Sequence, residues 1–145
     1  MKLKFIKLKG EAKTPTYGSV YAAGADLYAC IEEETEILPH ETKLIPTGIA
    51  MEIPEGYAGF IYARSGLATK RSLAPANCVG VVDSDYRGEV MVALHNYSEI
   101  PQKIAAFERI AQMVIAPYLA VEYEEVKKLD ETKRGAGGFG STGTK

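Results

Sequence analysis

Apolar residues along this chain recur mostly with a period of two rather than 3.6, the signature of half-buried strands. From Gly48 to Ile53 the pattern alternates, with Ile49, Met51 and Ile53 on one face. Tyr57 to Tyr62 is rich in aromatics and follows Pro54-Glu55-Gly56, a turn signal. Val90, Val92 and Leu94 alternate with Glu89, Met91 and Ala93; Ile110 to Ile115 alternates again until Pro117 stops it. Val121 to Val126 reads as a last strand with Glu122 and Glu124 outward. Turn signals recur every ~8–12 residues, the spacing of an all-β barrel or jelly roll. One short helix is expected from Gly66 to about Arg71, with the Ser65 hydroxyl as its N-cap. No internal repeat or linker divides the chain, so the expectation is one β-domain over 1–126 followed by a distinct segment, 127–145.

That last segment breaks the pattern. Arg134 to Thr144 reads Arg-Gly-Ala-Gly-Gly-Phe-Gly-Ser-Thr-Gly-Thr, too glycine-rich and too poor in aliphatics for a strand or a core. It is expected to be a flexible C-terminal arm. Its glycines allow close backbone approach to phosphates, and its Arg, Ser and Thr add donors. It is not a Walker A loop, because the order of Gly, Lys and Ser/Thr is wrong and no strand–loop–helix surrounds it.

Composition narrows the function classes. The chain has 145 residues, which fits one domain, and 46% are hydrophobic against 25% charged. The formal net charge of −2 argues against stable nucleic-acid binding but leaves room for a local phosphate site. Cys30 and Cys78 form no CxxC and have no His partner at metal spacing, so two reduced, mostly buried thiols are expected, and with them a reducing compartment. The N-terminus interleaves Lys2, Lys4, Lys7 and Lys9 with apolar residues and lacks the uninterrupted core of a signal peptide. No apolar run approaches the ~20 residues of a membrane span. The expected location is cytoplasmic, with no membrane partner. His40 and His95 read as surface or hydrogen-bonded residues, and Glu32, Glu33, Glu34 and Glu36 as a solvated edge.

Three short segments could carry chemistry. Gly80-Val81-Val82-Asp83-Ser84-Asp85-Tyr86-Arg87-Gly88-Glu89 leads from apolar residues into a carboxylate, which at a strand end could face a pocket as a general base or simply belong to an Asp-rich turn. Arg64-Ser65-Gly66 before a short helix is a plausible anion site. Ala22-Ala23-Gly24-Ala25-Asp26-Leu27 suits tight packing or a turn.

Taken in order, Ala23 to Leu27, Arg64 to Ala68, Gly80 to Glu89, Arg109-Ile110-Ala111-Gln112-Met113 and Arg134 to Gly143 resemble the five motifs of the trimeric deoxyuridine triphosphatase (dUTPase) family. The resemblance spans nearly the whole chain. It implies a distorted β-barrel or jelly roll (β-clip-like), assembled as a homotrimer with each site drawn from three subunits. It implies hydrolysis of dUTP to dUMP and diphosphate with Mg²⁺. Asp83 resembles the carboxylate that activates water for attack on the α-phosphorus. Arg64, Ser65 and Gly66 match the phosphate-binding motif, and Gln112 a residue near the α-phosphate. Asn77 and the backbone of Val81, Val82 and Asp83 match positions that hold uracil and deoxyribose. Tyr86 matches the aromatic against the sugar, and Met91 another lining position. Asp26 would support the metal-bound site without ligating directly, since Mg²⁺ would be held by phosphates and waters. Arg134 would reach the γ-phosphate, Phe139 would stack over uracil, and Gly140, Ser141 and Thr142 would contact the phosphates.

Two positions depart from the family pattern. Phe107 stands where a glycine usually precedes the acidic-Arg pair, and Ala63 where proline is common. Two other readings remain open at this point. A dCTP deaminase, or a bifunctional deaminase/dUTPase, shares the architecture and an Arg-Ser motif but would need a pocket Glu acting at the base. A nucleotide-sensing binding module would need no Asp83 and no arm.

Overall fold

The computed structural model describes residues 1–138. Twelve strands and one helix follow the chain: β1 (Lys4–Lys7), β2 (Thr16–Tyr17), β3 (Ala25–Tyr28), β4 (Thr35–Ile37), β5 (Thr42–Pro46), β6 (Ile49–Glu52), β7 (Tyr57–Tyr62), α1 (Ser65–Arg71), β8 (Leu73–Pro75), β9 (Gly80–Val82), β10 (Met91–Asn96), β11 (Gln102–Ile104) and β12 (Arg109–Pro117). The expected all-β class with one short helix is what forms. Every ladder is antiparallel. A five-stranded sheet runs β2-β3-β12-β7-β9, a three-stranded sheet β5-β10-β8, and the pairs β1-β6 and β4-β11 complete the described strands. The sheets wrap one core as a jelly roll and do not close into a continuous barrel.

The period-two reading locates the long strands well. Val90, Val92 and Leu94 are buried, while Met91 and Ala93 are only partly so. The expected strand over Tyr57–Tyr62 forms with those bounds. Its entry turn is closed by the Tyr57 amide on the Pro54 carbonyl at 3.1 Å, with Gly56 at φ +80° in the position that demands a positive φ. Ile37, Leu73, Leu94, Ile104 and Ile110 are wholly buried together. Asn96 shares that core because its amide is fully engaged: Nδ2 donates to the Ile37 and Ile100 carbonyls at 3.0 and 2.8 Å, and Oδ1 accepts from the Ser98 amide and hydroxyl at 2.9 and 2.7 Å.

Three expectations are corrected. The helix starts one residue early, at Ser65; its N-cap is Arg64, in extended backbone, and no side chain caps it. Ser65 therefore lies inside the first turn, where its hydroxyl cannot reach back to an N2 or N3 amide. The strand expected over Val121–Val126 does not form: the chain leaves β12 at Pro117 and presents no neighbouring edge to that stretch, so Val121, Tyr123 and Val126 are 59%, 93% and 50% exposed. Cys30 is buried but Cys78 is exposed, in a tight turn at φ +60°. Burial pushes the Cys30 thiol pKa up.

Candidate active site

β9 is an edge strand. It pairs with β7 on one side, Gly59 opposite Val82 and Ile61 opposite Gly80, and no strand among the described residues pairs with its other edge. An open edge presents unpaired N–H and C=O groups in a row, which can read the polar edge of a flat heterocycle. That edge lines a cleft of ≈ 320 Å³ with Asn77, Val81, Val82, Asp83, Tyr86 and Met91 around it. The resemblance implies a shared site for all six, and they lie around one cleft. Leu44, Ile61, Gly80, Glu89 and Val90 complete the lining; none of them was among the expected site residues. Leu44 comes from β5 and no motif contains it. Glu89 serves a backbone role: its Oε1 accepts the Gly48 amide at 2.7 Å and ties the loop after β9 to the β5–β6 turn.

The loop itself is shaped by Tyr86. Its amide bonds to the Asp83 carbonyl at 3.2 Å, and its hydroxyl donates to the Glu89 carbonyl at 3.0 Å. The ring thus folds back over Gly88, where a Cβ would come within 2.4 Å of the tyrosine oxygen and displace the ring. Asp83 follows the last residue of β9 and is exposed at the rim of the cleft, unpaired by any cation among the described residues.

A second cluster gathers at the other end of β7. Asp26, only 8% exposed, faces two guanidiniums: Arg64 Nε lies 2.7 Å from Oδ1 and Arg109 Nη1 lies 3.1 Å from Oδ2. Both carboxylate oxygens are thus taken by arginines, and Asp26 acts here as the group that orients them. Arg64 also reaches the Arg109 carbonyl at 3.4 Å. Gln112 sits opposite Asp26 on β3 and Tyr62 on β7, and its Nε2 donates to the Ala63 carbonyl at 2.9 Å. Arg109 and Gln112 are three residues apart and would face opposite sides of a regular strand. A register shift between Arg109 and Ala111 turns Arg109 to the same side as Gln112. Gly24 lies against them: a Cβ there would meet Gln112 Oε1 at 2.5 Å and force the carboxamide to move. Ser65 and Gly66 are exposed at the helix start next to this cluster. The result is a compact cationic surface with free amides, suited to phosphate.

The two clusters do not meet within one chain. Gly59 lies beside Val82, and Arg64 is five residues further along an extended segment, so about 17 Å separates them at ~3.3 Å per residue. Arg134 is exposed and bonds within its own segment, Nε to the Gly137 carbonyl at 2.8 Å. Phe139, Gly140, Ser141 and Thr142 lie outside the described residues. No helix among the described residues is long and apolar enough to cross a membrane.

Comparison with known proteins bears on this geometry. A family model described as dUTPase matches residues 10–143. The deoxyuridine 5'-triphosphate nucleotidohydrolase of Nautilia profundicola is 52% identical over 143 residues, covering 99% of both chains. That of Hydrogenobaculum sp. is 49% identical over 145 residues, covering the whole of both. Among solved structures, a variant dUTPase of Staphylococcus bacteriophage 80alpha with dUpNHpp superposes with a TM-score of 0.90 at 28% identity, covering 98% of each chain.

Proposed function

The chain belongs to the dUTPase family, and from that premise we propose how its residues divide the work. It hydrolyses dUTP to dUMP and diphosphate. The observation that carries the assignment of roles is Asp83, at the rim of the cleft walled by the open edge of β9. Uracil lies against that edge, with Asn77 and the backbone of Val81 to Asp83 as its hydrogen-bonding partners. Tyr86 and Met91 line the sugar, and the fixed Tyr86 ring leaves little room for a 2′-hydroxyl. A mismatched donor or acceptor left unpaired here costs ~1–3 kcal/mol, enough to reject cytosine.

Asp83, as carboxylate, accepts a proton from a water that attacks the α-phosphorus. The bond from the α-phosphorus to the bridging oxygen breaks, and diphosphate leaves. Arg64, the amides and hydroxyl of Ser65 and Gly66, and Gln112 neutralise and orient the phosphates, which is most of what phosphoryl transfer requires. Asp26 holds Arg64 and Arg109 in place for them.

Asp83 must come within one water of the α-phosphorus, yet it lies about 17 Å of strand away from the Arg64 cluster of its own chain. This supports a site assembled between subunits, with Asp83 of one chain facing Arg64 of another, in a homotrimer. The 127–145 arm then closes over the substrate, with Arg134 at the γ-phosphate, Phe139 stacked on uracil and Gly140, Ser141 and Thr142 at the phosphates. Stacking of a base on an aromatic ring contributes roughly 1–3 kcal/mol.

Mg²⁺ fits this donor set. It prefers phosphate oxygens and waters and needs no protein cage. Asp26, whose oxygens are both engaged by arginines, is placed to support it indirectly. When bound, the ion supplies charge neutralisation across the triphosphate.

The test is diphosphate and ammonia release with Mg²⁺ from dUTP, dCTP, dTTP and UTP, for the native chain and Asp83→Asn. Diphosphate from dUTP alone, lost in the variant, is the expected outcome. Ammonia from dCTP would move the chain to a deaminase, and silence on all four to a binding module.

A further inference from the structure

The helix that carries Ser65 and Gly66 is tethered at both ends to the start of β12, and only the first tether belongs to the site above. At its beginning, Arg64 reaches Asp26 and the Arg109 carbonyl. At its end, Arg71 turns its guanidinium into the β11–β12 turn. Nη1 donates to Glu108 Oε1 at 2.5 Å, Nε to Gln102 Oε1 at 3.2 Å, and Nη2 to the Lys103 carbonyl. The second oxygen of Glu108 accepts the Ala105 amide at 3.0 Å, so the carboxylate also closes the turn. That turn contains Phe107 at φ +59° and is pinned to the strand across from it by Phe107 N to Ala29 O and Ala29 N to Glu108 O, both 2.8 Å. The next residue is Arg109, which holds Asp26.

A helix of seven residues cannot fix its own orientation, because it makes few internal bonds. Leu67 is its one buried residue. Its angle against β12 therefore leans on contacts outside the helix, the two tethers among them. The side chains of Arg71 and Glu108 are 30% and 24% exposed, and every nitrogen of the fork has an acceptor. This is a geometric clamp rather than a loose surface pair.

We propose that Arg71 and Glu108 are positioning residues for the phosphate-binding half of the site. They hold the Ser65–Gly66 helix start in register with Arg109, Asp26 and Arg64. The inference rests on the phosphate reading given under Proposed function. A lysine at 71 would keep the charge and lose the fork.

The test uses the full chain with Arg71→Ala, Arg71→Lys and Glu108→Gln. KM and kcat are measured on dUTP, alongside calorimetric affinity for the non-hydrolysable triphosphate dUpNHpp and for deoxyuridine, which has no phosphate. In Arg71→Ala, kcat/KM falls about tenfold or more, as expected for a small misplacement of binding groups. Triphosphate affinity falls with it, while deoxyuridine affinity holds, because its cleft does not touch α1. Arg71→Lys recovers part of the loss, and Glu108→Gln, which keeps an acceptor for the fork but removes the charge, loses less than Arg71→Ala. Unchanged triphosphate affinity in Arg71→Ala would overturn the proposal. So would an equal loss of triphosphate and deoxyuridine affinity with a lowered melting point, which marks general damage. If the native chain does not cleave dUTP, the function reading fails, while the comparison of dUpNHpp with deoxyuridine still judges the clamp.

Discussion

Asp83 and Ser72 show how much a single position can decide. Asp83 stands where β9 runs out, exposed and unengaged by a cation among the described residues. Asparagine has the same shape but cannot take the proton from water. Asp83→Asn should therefore lower kcat by roughly 10²–10⁴-fold, the usual worth of a general base, with dUpNHpp affinity nearly kept. A variant that turns over normally in steady-state assays would remove Asp83 from the chemistry. Ser72 is a different case. It ends α1 at φ +52°, in the left-handed region where a side chain crowds its own backbone. Ser72→Gly should stabilise the fold by about 0.5–1 kcal/mol in urea titration, relief of strain outweighing the added freedom of the unfolded chain. A lowered midpoint would mean that the serine side chain contributes something its geometry does not reveal. Phe107 occupies the same region at φ +59°. It stands where the resembled family pattern has a glycine, a residue that adopts this φ without a side-chain clash. Lys13 lies 5.1 Å above its ring, which partly offsets the strain.

At the level of elements, legibility followed packing. Strands with one face in the core, such as β10, announce themselves by alternation, since each buried residue must recur at period two. β2, β4, β8 and β11 are two or three residues long and carry no readable period. Val121 to Glu124 alternates as a strand should, but alternation shows only which face is apolar; it does not supply an edge to pair with. The grouping of the β9 cleft residues was legible because they come mostly from one contiguous segment. The Asp26 cluster was legible only in its members. That Asp26 holds two arginines depends on the bulge in β12, which aims Arg109, and no sequence pattern marked that bulge. The meeting of β2–β3 loop and β12 yields a further prediction. Gly24→Ala puts a methyl 2.5 Å from Gln112 Oε1 and 3.2 Å from its Cβ, so the carboxamide must swing away and release the Ala63 carbonyl. Turnover of dUTP should fall about tenfold, with deoxyuridine affinity untouched. Normal turnover would show that Gln112 does not need this position.

The whole molecule must solve the separation between its two clusters. On the proposed division of roles, Asp83 and Arg64 of one chain lie too far apart along β7 to serve one α-phosphate, and each chain would hold halves of two different sites. In a closed ring the halves pair between neighbours. Two inactive variants should then complement each other. Asp83→Asn keeps an intact Arg64 cluster, and Arg64→Ala keeps an intact Asp83 cleft. Each alone should be nearly silent. When the two are denatured together and refolded in equal amounts, a site works wherever an Arg64→Ala chain offers its Asp83 to an Asp83→Asn neighbour. Random mixing places that ordered pair at about a quarter of the sites in a cyclic assembly. Activity near a quarter of native should therefore appear in the co-refolded mixture and not in a simple mixture of preformed assemblies. A co-refolded mixture as silent as its parents, in assemblies shown by mass to be mixed, would place both clusters' work within one chain and refute the shared site.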